Sequence, residues 1–227
     1  MYKKVKYVVI VVAVLMVIST IVGIALAKNK DKKPKELSIS VSLTYFDDQP
    51  TKGKMDAPVS IVEFGDFKCP GCQYFAETIF PNLVRDYIDS GKANFKFVNY
   101  PFLGPDSLTA AAAGEYVAKK SPNEFWTYYE AIYKNQKNES LEWATIDYLI
   151  EIAKGVQIHV DYADMERSLK SGEYSEVVNR DLSFTRDLGI RGTPTLVVNG
   201  MVFGVGGLSY EEIKSTINNI IDKRVGG

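Results

Sequence analysis

Val59-Ser60-Ile61-Val62-Glu63-Phe64-Gly65-Asp66-Phe67-Lys68-Cys69-Pro70-Gly71-Cys72 decides the fold. Val59 to Phe64 is a near-continuous apolar run, as expected of a central strand buried on both faces, and it leads straight into two cysteines spaced C-x-x-C. After Cys69, apolar residues repeat at i+4 in two adjacent rows, Phe75-Ile79-Leu83-Tyr87 and Phe80-Val84-Ile88, which predicts a helix ending before Gly91. Pro81 is expected to kink it. Phe95 and Phe97 alternate with polar residues in Asn94 to Asn99, a second strand. Strand, helix, strand in this succession is a βαβ unit with a parallel sheet, and the chain is read as α/β.

Downstream, Pro105 to Gly189 shows no strand pattern and repeated helix signals. Ser121-Pro122-Asn123-Glu124 reads as a capping box with proline at the first helical position. Ser140 can cap the run ending at Gly155, and Asp161 the run ending at Gly172. An all-helical insertion over about 105–172 is therefore expected, followed by a long helix to Leu188. The chain closes with Thr195 to Asn199 as a strand, Asn199-Gly200 as a tight turn, Met201 to Val205 as the antiparallel partner, and a last helix opened by Ser209-Tyr210-Glu211-Glu212.

Upstream, Tyr7 to Ala27 carries no charge and is preceded by Lys3, Lys4 and Lys6. At about 20 residues it is long enough to span a bilayer as a helix. Ala25-Leu26-Ala27 resembles a signal-peptidase site, but the apolar run exceeds the roughly 7–15 residues of a cleaved segment, which favours an uncleaved transmembrane anchor over residues 1–27. Residues 28–36 are polar and lysine-rich, the composition of a tether, and 37–227 form the folded domain. Ser38 to Thr44 alternates and is read as an edge strand. The N-terminal basic cluster favours export of the domain.

Residues 1–36 hold eight of the 27 basic residues and two of the 28 acidic ones, so the remainder is acidic by about seven charges, a poor match for nucleic acid. The chain has two cysteines and one histidine, His159, which reads as a surface residue. Zinc at the C-x-x-C pair would lack further ligands. A structural disulfide more usually joins distant segments, so the pair reads as catalytic.

Cys69 stands where a buried strand gives way to a helix, so backbone N–H groups without helical partners point at its sulfur and favour a thiolate. Pro70 in the first turn loses no hydrogen bond. A low thiol pKa makes Cys69 a better leaving group and the disulfide a stronger oxidant. Exchange proteins span about 150 mV, or about 7 kcal/mol, at about 1.4 kcal/mol per 30 mV. A helix terminus supplies only about 0.3–2 kcal/mol, so further donors are needed, and Lys68 is one nearby candidate, a simply solvated lysine being the alternative. Proline immediately before a strand, as in Gly192-Thr193-Pro194-Thr195, can be cis. A cis Pro194 would expose the Thr193 backbone to an extended client segment and bring the client sulfur to Cys69. A trans proline at a strand edge is the plain alternative. Glu63, a carboxyl in an apolar strand six residues before Cys69, has a raised pKa if buried and could pass a proton to or from Cys72. If its face is open, it is simply solvated.

These segments, Val62-Glu63-Phe64 through Phe67-Lys68-Cys69-Pro70-Gly71-Cys72, Phe80-Pro81, Phe125-Trp126 and Gly192-Thr193-Pro194-Thr195, resemble the DsbA branch of the thioredoxin superfamily, especially its membrane-anchored Gram-positive members. The resemblance implies a thioredoxin-like fold with a helical insertion over the active site. It implies Cys69 as the attacked sulfur, Cys72 as its buried partner, Pro194 in cis and Glu63 as the acid, with Thr193, Pro70 and Gly71 meeting the client. It further implies reduced exported proteins as substrates, a DsbB-like quinone-linked membrane protein as reoxidant, no cofactor for exchange, and a monomer. Enteric DsbA has histidine where Gly71 stands, which leaves the redox poise open. Some anchored members hold a structural calcium, and Gln49, Glu115 and Asp181 fall at comparable places. Two rivals to a disulfide-forming oxidase follow from the same residues: a thioredoxin-like reductant of opposite poise, and a non-catalytic binding or chaperone module at the membrane surface.

Overall fold

The computed structural model describes residues 35–36, 43–204 and 208–225, within a compact unit spanning Glu36–Gly227 for all but the first of these. The apolar segment Tyr7 to Ala27 lies outside the described residues, as do most of the 28–36 tether and Ser38 to Ser42. Among the described residues no helix is long and apolar enough to cross a membrane. Leu43–Phe46 is a 3-10 turn, so the expected edge strand does not extend to Thr44.

The strands are β1 (Lys35–Glu36), β2 (Thr51–Lys52), β3 (Val59–Gly65), β4 (Ala93–Asn99), β5 (Thr195–Val198) and β6 (Met201–Phe203). From β6 onward the sheet runs β6-β5-β3-β4-β2. β3 is central, parallel to β4 and antiparallel to β5, with Glu63 opposite Phe97 on one side and Leu196 on the other. The βαβ pair β3 and β4 is parallel, but the sheet is mixed and not the parallel one expected, because β2, β5 and β6 each join it antiparallel. β5 and β6 are joined at Asn199 and Gly200, whose φ values of 45° and 90° are those a tight hairpin demands. Asn199 also accepts from the Ser60 N–H at 2.8 Å, tying the turn back to β3.

Side chains of a strand alternate between faces. Val59 and Ile61 of β3 join the larger core with Phe75, Ile79, Phe80, Phe95, Phe97, Leu196 and the helices beyond, whereas Val62 and Phe64 join a smaller core with Phe46, Val98, Tyr100 and Ile190. Glu63 follows the odd-numbered face and so points into the larger core.

The helix after Cys69, α1, spans 70–88. It is α-helical over Pro70–Tyr74 and Phe80–Leu83 and opens into π turns over Phe75–Ile79 and Val84–Ile88. Pro81 sits in the first turn of the second α-helical stretch, directly after a π turn. The wider turn accommodates the missing N–H. Helices α2 (Pro105–Lys120), α3 (Phe125–Lys134), α4 (Ile146–Gly155), α5 (Tyr162–Ser171) and α6 (Ser175–Asp187) follow, and α7 (Tyr210–Val225) closes the fold.

Two caps differ from expectation. Ser121 bonds the Glu124 carboxylate through its hydroxyl, and Glu124 turns to the His159 backbone and ring instead of completing a capping box. Ser140 lies in a turn, and Thr145 caps α4 by accepting from Tyr148 N–H at 3.3 Å. Asp161 caps α5 as expected, accepting from Ala163 and Asp164, and Gly172 ends it at φ 72°. Ser209 accepts from Glu212 N–H at the start of α7.

Candidate active site

Cys69 is the N-cap of α1, with extended φ −76° and ψ 121°, and its carbonyl accepts from Gln73 N–H at 3.0 Å. Its sulfur is 8% exposed as a residue average, whereas Cys72, one turn on, is fully buried. Both cysteines are free thiols. The Cys69 thiol donates to the Thr193 carbonyl at 3.4 Å, across 124 residues of chain. Thr193-Pro194 is cis, as the family resemblance implied, and not the trans alternative. Its loop is held by Thr195 Oγ1 donating to Gly192 O at 2.7 Å and by Tyr100 OH donating to Ile190 O at 3.2 Å. Gly71 completes the close approach: a Cβ there would lie 3.0 Å from Pro194 Cδ and 3.6 Å from the Cys69 sulfur. Pro70 and Gly71 are exposed, and Gly71 brings Thr193, Pro194 and the Cys69 sulfur together, so the three residues expected to meet a client, Pro70, Gly71 and Thr193, lie beside Cys69 and Pro194.

The Cys69 pKa is lowered to about 6, chiefly by the Cys72 thiol donating to its sulfur, against the opposing effect of burial, and with help from the Thr193 side chain and then the N–H groups of Cys72 and Gly71. The extra donors required at the sulfur are thus the partner thiol, the Thr193 side chain and the helix's own backbone. Lys68 is not one of them. Its Nζ lies 2.6 Å from Asp106 Oδ1, and the pair is almost wholly buried, so it is neither aimed at the sulfur nor solvated. The Cys72 thiol is driven well above its ordinary value, first by burial and then by donating to Cys69 and by the charge of Glu63. One thiol ionises readily while the other keeps its proton.

Glu63 is fully buried, and burial raises its carboxyl to about 8. The Tyr129 hydroxyl, from α3, donates to Oε2 at 2.6 Å, whereas Oε1 has no hydrogen-bond partner. Tyr129 and Gln136 are site residues the sequence did not disclose. Tyr129 sits in Phe125-Trp126-Thr127-Tyr128-Tyr129, which reads as core aromatics, and Gln136 in Asn135-Gln136-Lys137-Asn138, which reads as a loop. Gln136 Nε2 donates to the carbonyls of Phe67 at 2.8 Å and Cys69 at 3.2 Å, while Gln73 Nε2 donates to Tyr133 O at 2.9 Å. The insertion is bolted to the cysteine loop from both sides.

Gln49, Glu115 and Asp181 gather around Asn99, the last residue of β4. Asp181 accepts from Gln49 Nε2 at 3.0 Å, from the Tyr45 hydroxyl at 2.6 Å, and from Asn99 N–H and Nδ2, both at 3.1 Å. Asn99 also donates to Glu115 Oε1 at 2.6 Å. Burial and the neighbouring Asp181 raise Glu115 to about 7. Among the described residues no three His, Cys, Asp or Glu side chains form a metal cage. Turning the Gln49 and Asn99 amides over would nevertheless give an all-oxygen set around two buried carboxyls, chemistry that suits calcium.

A sulfur held at a helix N-terminus, a protonated partner beneath it and a cis-proline loop beside it define a thiol–disulfide oxidoreductase on a thioredoxin-like fold. The chain belongs to the family described as Thioredoxin, which matches residues 46–219. It is 39% identical over 178 residues to the probable disulfide bond formation protein D of Bacillus cereus, covering 78% of this chain and 81% of that one. It is 38% identical over 169 residues to disulfide bond formation protein D of Bacillus subtilis, covering 74% and 75%. The crystal structure of oxidised BdbD from Bacillus subtilis superposes with a TM-score of 0.74 at 37% identity, over 77% of this chain and 94% of that one.

Proposed function

We propose that this enzyme is a membrane-tethered dithiol oxidase that forms disulfides in reduced exported proteins, and that Cys69, Cys72 and Glu63 carry the chemistry. The observation that carries this is the asymmetry of the thiols, with Cys69 lowered to about 6 and Cys72 raised, in reach of the Thr193 carbonyl. In the oxidised enzyme a client thiolate attacks Cys69 Sγ. The Cys69–Cys72 bond breaks, its electron pair goes to Cys72, and Cys72 takes a proton from neutral Glu63. A second client thiolate then attacks the client sulfur of the mixed disulfide, and Cys69 leaves as a stabilised thiolate. The client gains a disulfide and the enzyme gains two electrons. Thr193, next to Pro194, offers its backbone to the client as an added strand, with Pro70 and Gly71 leaving room beside the sulfur.

The apolar Tyr7 to Ala27 segment and the basic residues before it support an anchor with the domain outside the cytoplasm. A disulfide-forming cycle needs an acceptor for the enzyme's two electrons, and a DsbB-like quinone-linked membrane protein would take them. The Gln49, Asn99, Glu115 and Asp181 cluster would hold a structural calcium.

The test is oxidation of a reduced unfolded protein by the oxidised enzyme, with Cys69→Ser as control, and titration of the cysteine pair against glutathione. Loss of exchange in Cys69→Ser and a potential well above about −270 mV are expected for an oxidase. Full activity in the variant, or a potential at that value, would overturn the reading.

A further inference from the structure

We propose that Tyr129 is a positioning residue for the buried acid: by donating its hydroxyl to Glu63 Oε2, it confines the acid's proton to Oε1, the oxygen left free to serve Cys72. The inference deepens the proposed exchange mechanism and rests on it.

The geometry is specific. Tyr129 is wholly buried and its hydroxyl lies 2.6 Å from Oε2. Its ring is fixed in an aromatic cluster, with centroids 5.3 Å from Phe97, 5.5 Å from Phe80 and 4.9 Å from Tyr133. Oε1 is buried with no partner at all. An oxygen that accepts a hydroxyl proton along a short bond is poorly placed to carry an acid proton of its own, so the neutral acid is O–H at Oε1 and C=O at Oε2. A buried polar atom without a partner costs about 1–3 kcal/mol, a cost that a proton-carrying atom with a transient partner explains.

The other titratable groups facing Glu63 are few. Helix α1 contributes Cys69 and Cys72, and α3 contributes Tyr133 besides Tyr129. The flanking strands place Phe97 and Leu196 opposite it. Asp66 acts on Tyr133 and Glu130 on Tyr129. Lys68, the nearest basic residue in sequence, is committed to Asp106.

During oxidation of a client, the proton on Oε1 goes to Cys72 as the disulfide opens, leaving a carboxylate whose Oε2 remains bonded to Tyr129. On reoxidation Cys72 returns that proton as its sulfur attacks. The hydroxyl thus favours the carboxylate and brings the acid closer to working pH, where general acids are most effective.

The experiment is single-turnover oxidation of a model dithiol peptide across pH, normalised to the peptide's thiolate fraction, for the oxidised wild-type enzyme, Tyr129→Phe and Glu63→Gln. The wild-type rate should fall as pH rises through the Glu63 ionisation, and Glu63→Gln should lack that limb. Tyr129→Phe should move the limb up by about one pH unit, the loss of one charge-assisted hydrogen bond. A limb unmoved in Tyr129→Phe, even with a lowered melting temperature, would overturn the assignment while leaving the exchange mechanism standing. No exchange by the wild type would overturn both. An infrared measurement that needs no Tyr129 variant serves equally: the carbonyl stretch of neutral Glu63, identified by its loss in Glu63→Gln, should be that of a hydrogen-bonded carbonyl, and the stretch of a free carbonyl would refute the proposal.

Discussion

Replacing Glu63 with glutamine should make the protein more stable in a way that grows with pH. Burial raises the folded carboxyl from 4.5 to about 8, so folding binds a proton that the unfolded chain releases. Stability from this group is complete below about pH 4.5 and is lost as pH rises through about 8. At about 1.4 kcal/mol per unit, the full cost above pH 8 is about 5 kcal/mol. At pH 7, with the folded acid still largely protonated, the same linkage gives about 3 kcal/mol. Against a total stability of about 5–15 kcal/mol for an ordinary domain, that is a large share. Glutamine carries no charge and can still accept from Tyr129, but it leaves an amide N–H where Oε1 was, at a pH-independent cost of about 1–3 kcal/mol. The decisive quantity is therefore the pH dependence of the difference. Urea denaturation of the reduced proteins at pH 4, 7 and 9 should show the gap between variant and wild type widening by about 5 kcal/mol from the lowest to the highest pH. Cys69 ionises in both proteins, and its charge is one of the causes that raise Glu63 in the wild type. Parallel stability curves would mean that Glu63 is ionised in the fold, and the acid role would fall with it.

Titrating the thiolate absorbance of the reduced enzyme should find Cys69 ionising near pH 6, and Cys72→Ala, which removes the principal donor to that sulfur, should raise the midpoint by at least about one unit. An unchanged midpoint would leave the helix backbone as the main cause. Millimolar calcium, compared with a chelator, should raise the melting temperature of the wild type and not of Glu115→Gln. The effect should be larger at pH 8 than at pH 6, because a carboxyl raised to about 7 must lose its proton to bind metal. Identical melting with and without calcium would exclude the cluster as a metal site.

The pattern Val59 to Phe64 was enough to place a central buried strand, because a strand covered on both faces has no room for the polar alternation of an exposed one. The helix N-terminus at Cys69 and the hairpin at Asn199-Gly200 were legible for the same kind of local reason. What stayed hidden depended on partners far along the chain. Lys68 looked like a candidate for the sulfur until Asp106, 38 residues on, claimed it. Glu63 could be proposed as buried, but only the strand register fixed which face it occupied, since a shift of one residue would reverse it. Tyr129 carried no signal of its own, for an aromatic in an apolar row does not reveal where its hydroxyl lands. The caps at Thr145 and Ser121 were ambiguous because several residues in each stretch could accept a backbone N–H, and tertiary contacts chose among them.

The chain delivers the neighbours of Cys69 at very different times: Glu63 before it, Tyr129 and Gln136 well after it, and Thr193 last of all. While the chain is being synthesised, the two cysteines therefore exist for a time beside no acid-holding hydroxyl and no client-binding backbone. A half-made copy could already hold Cys72 and the first turn of the helix against Cys69, but it would lack the means to receive a client until the residues around Pro194 arrived.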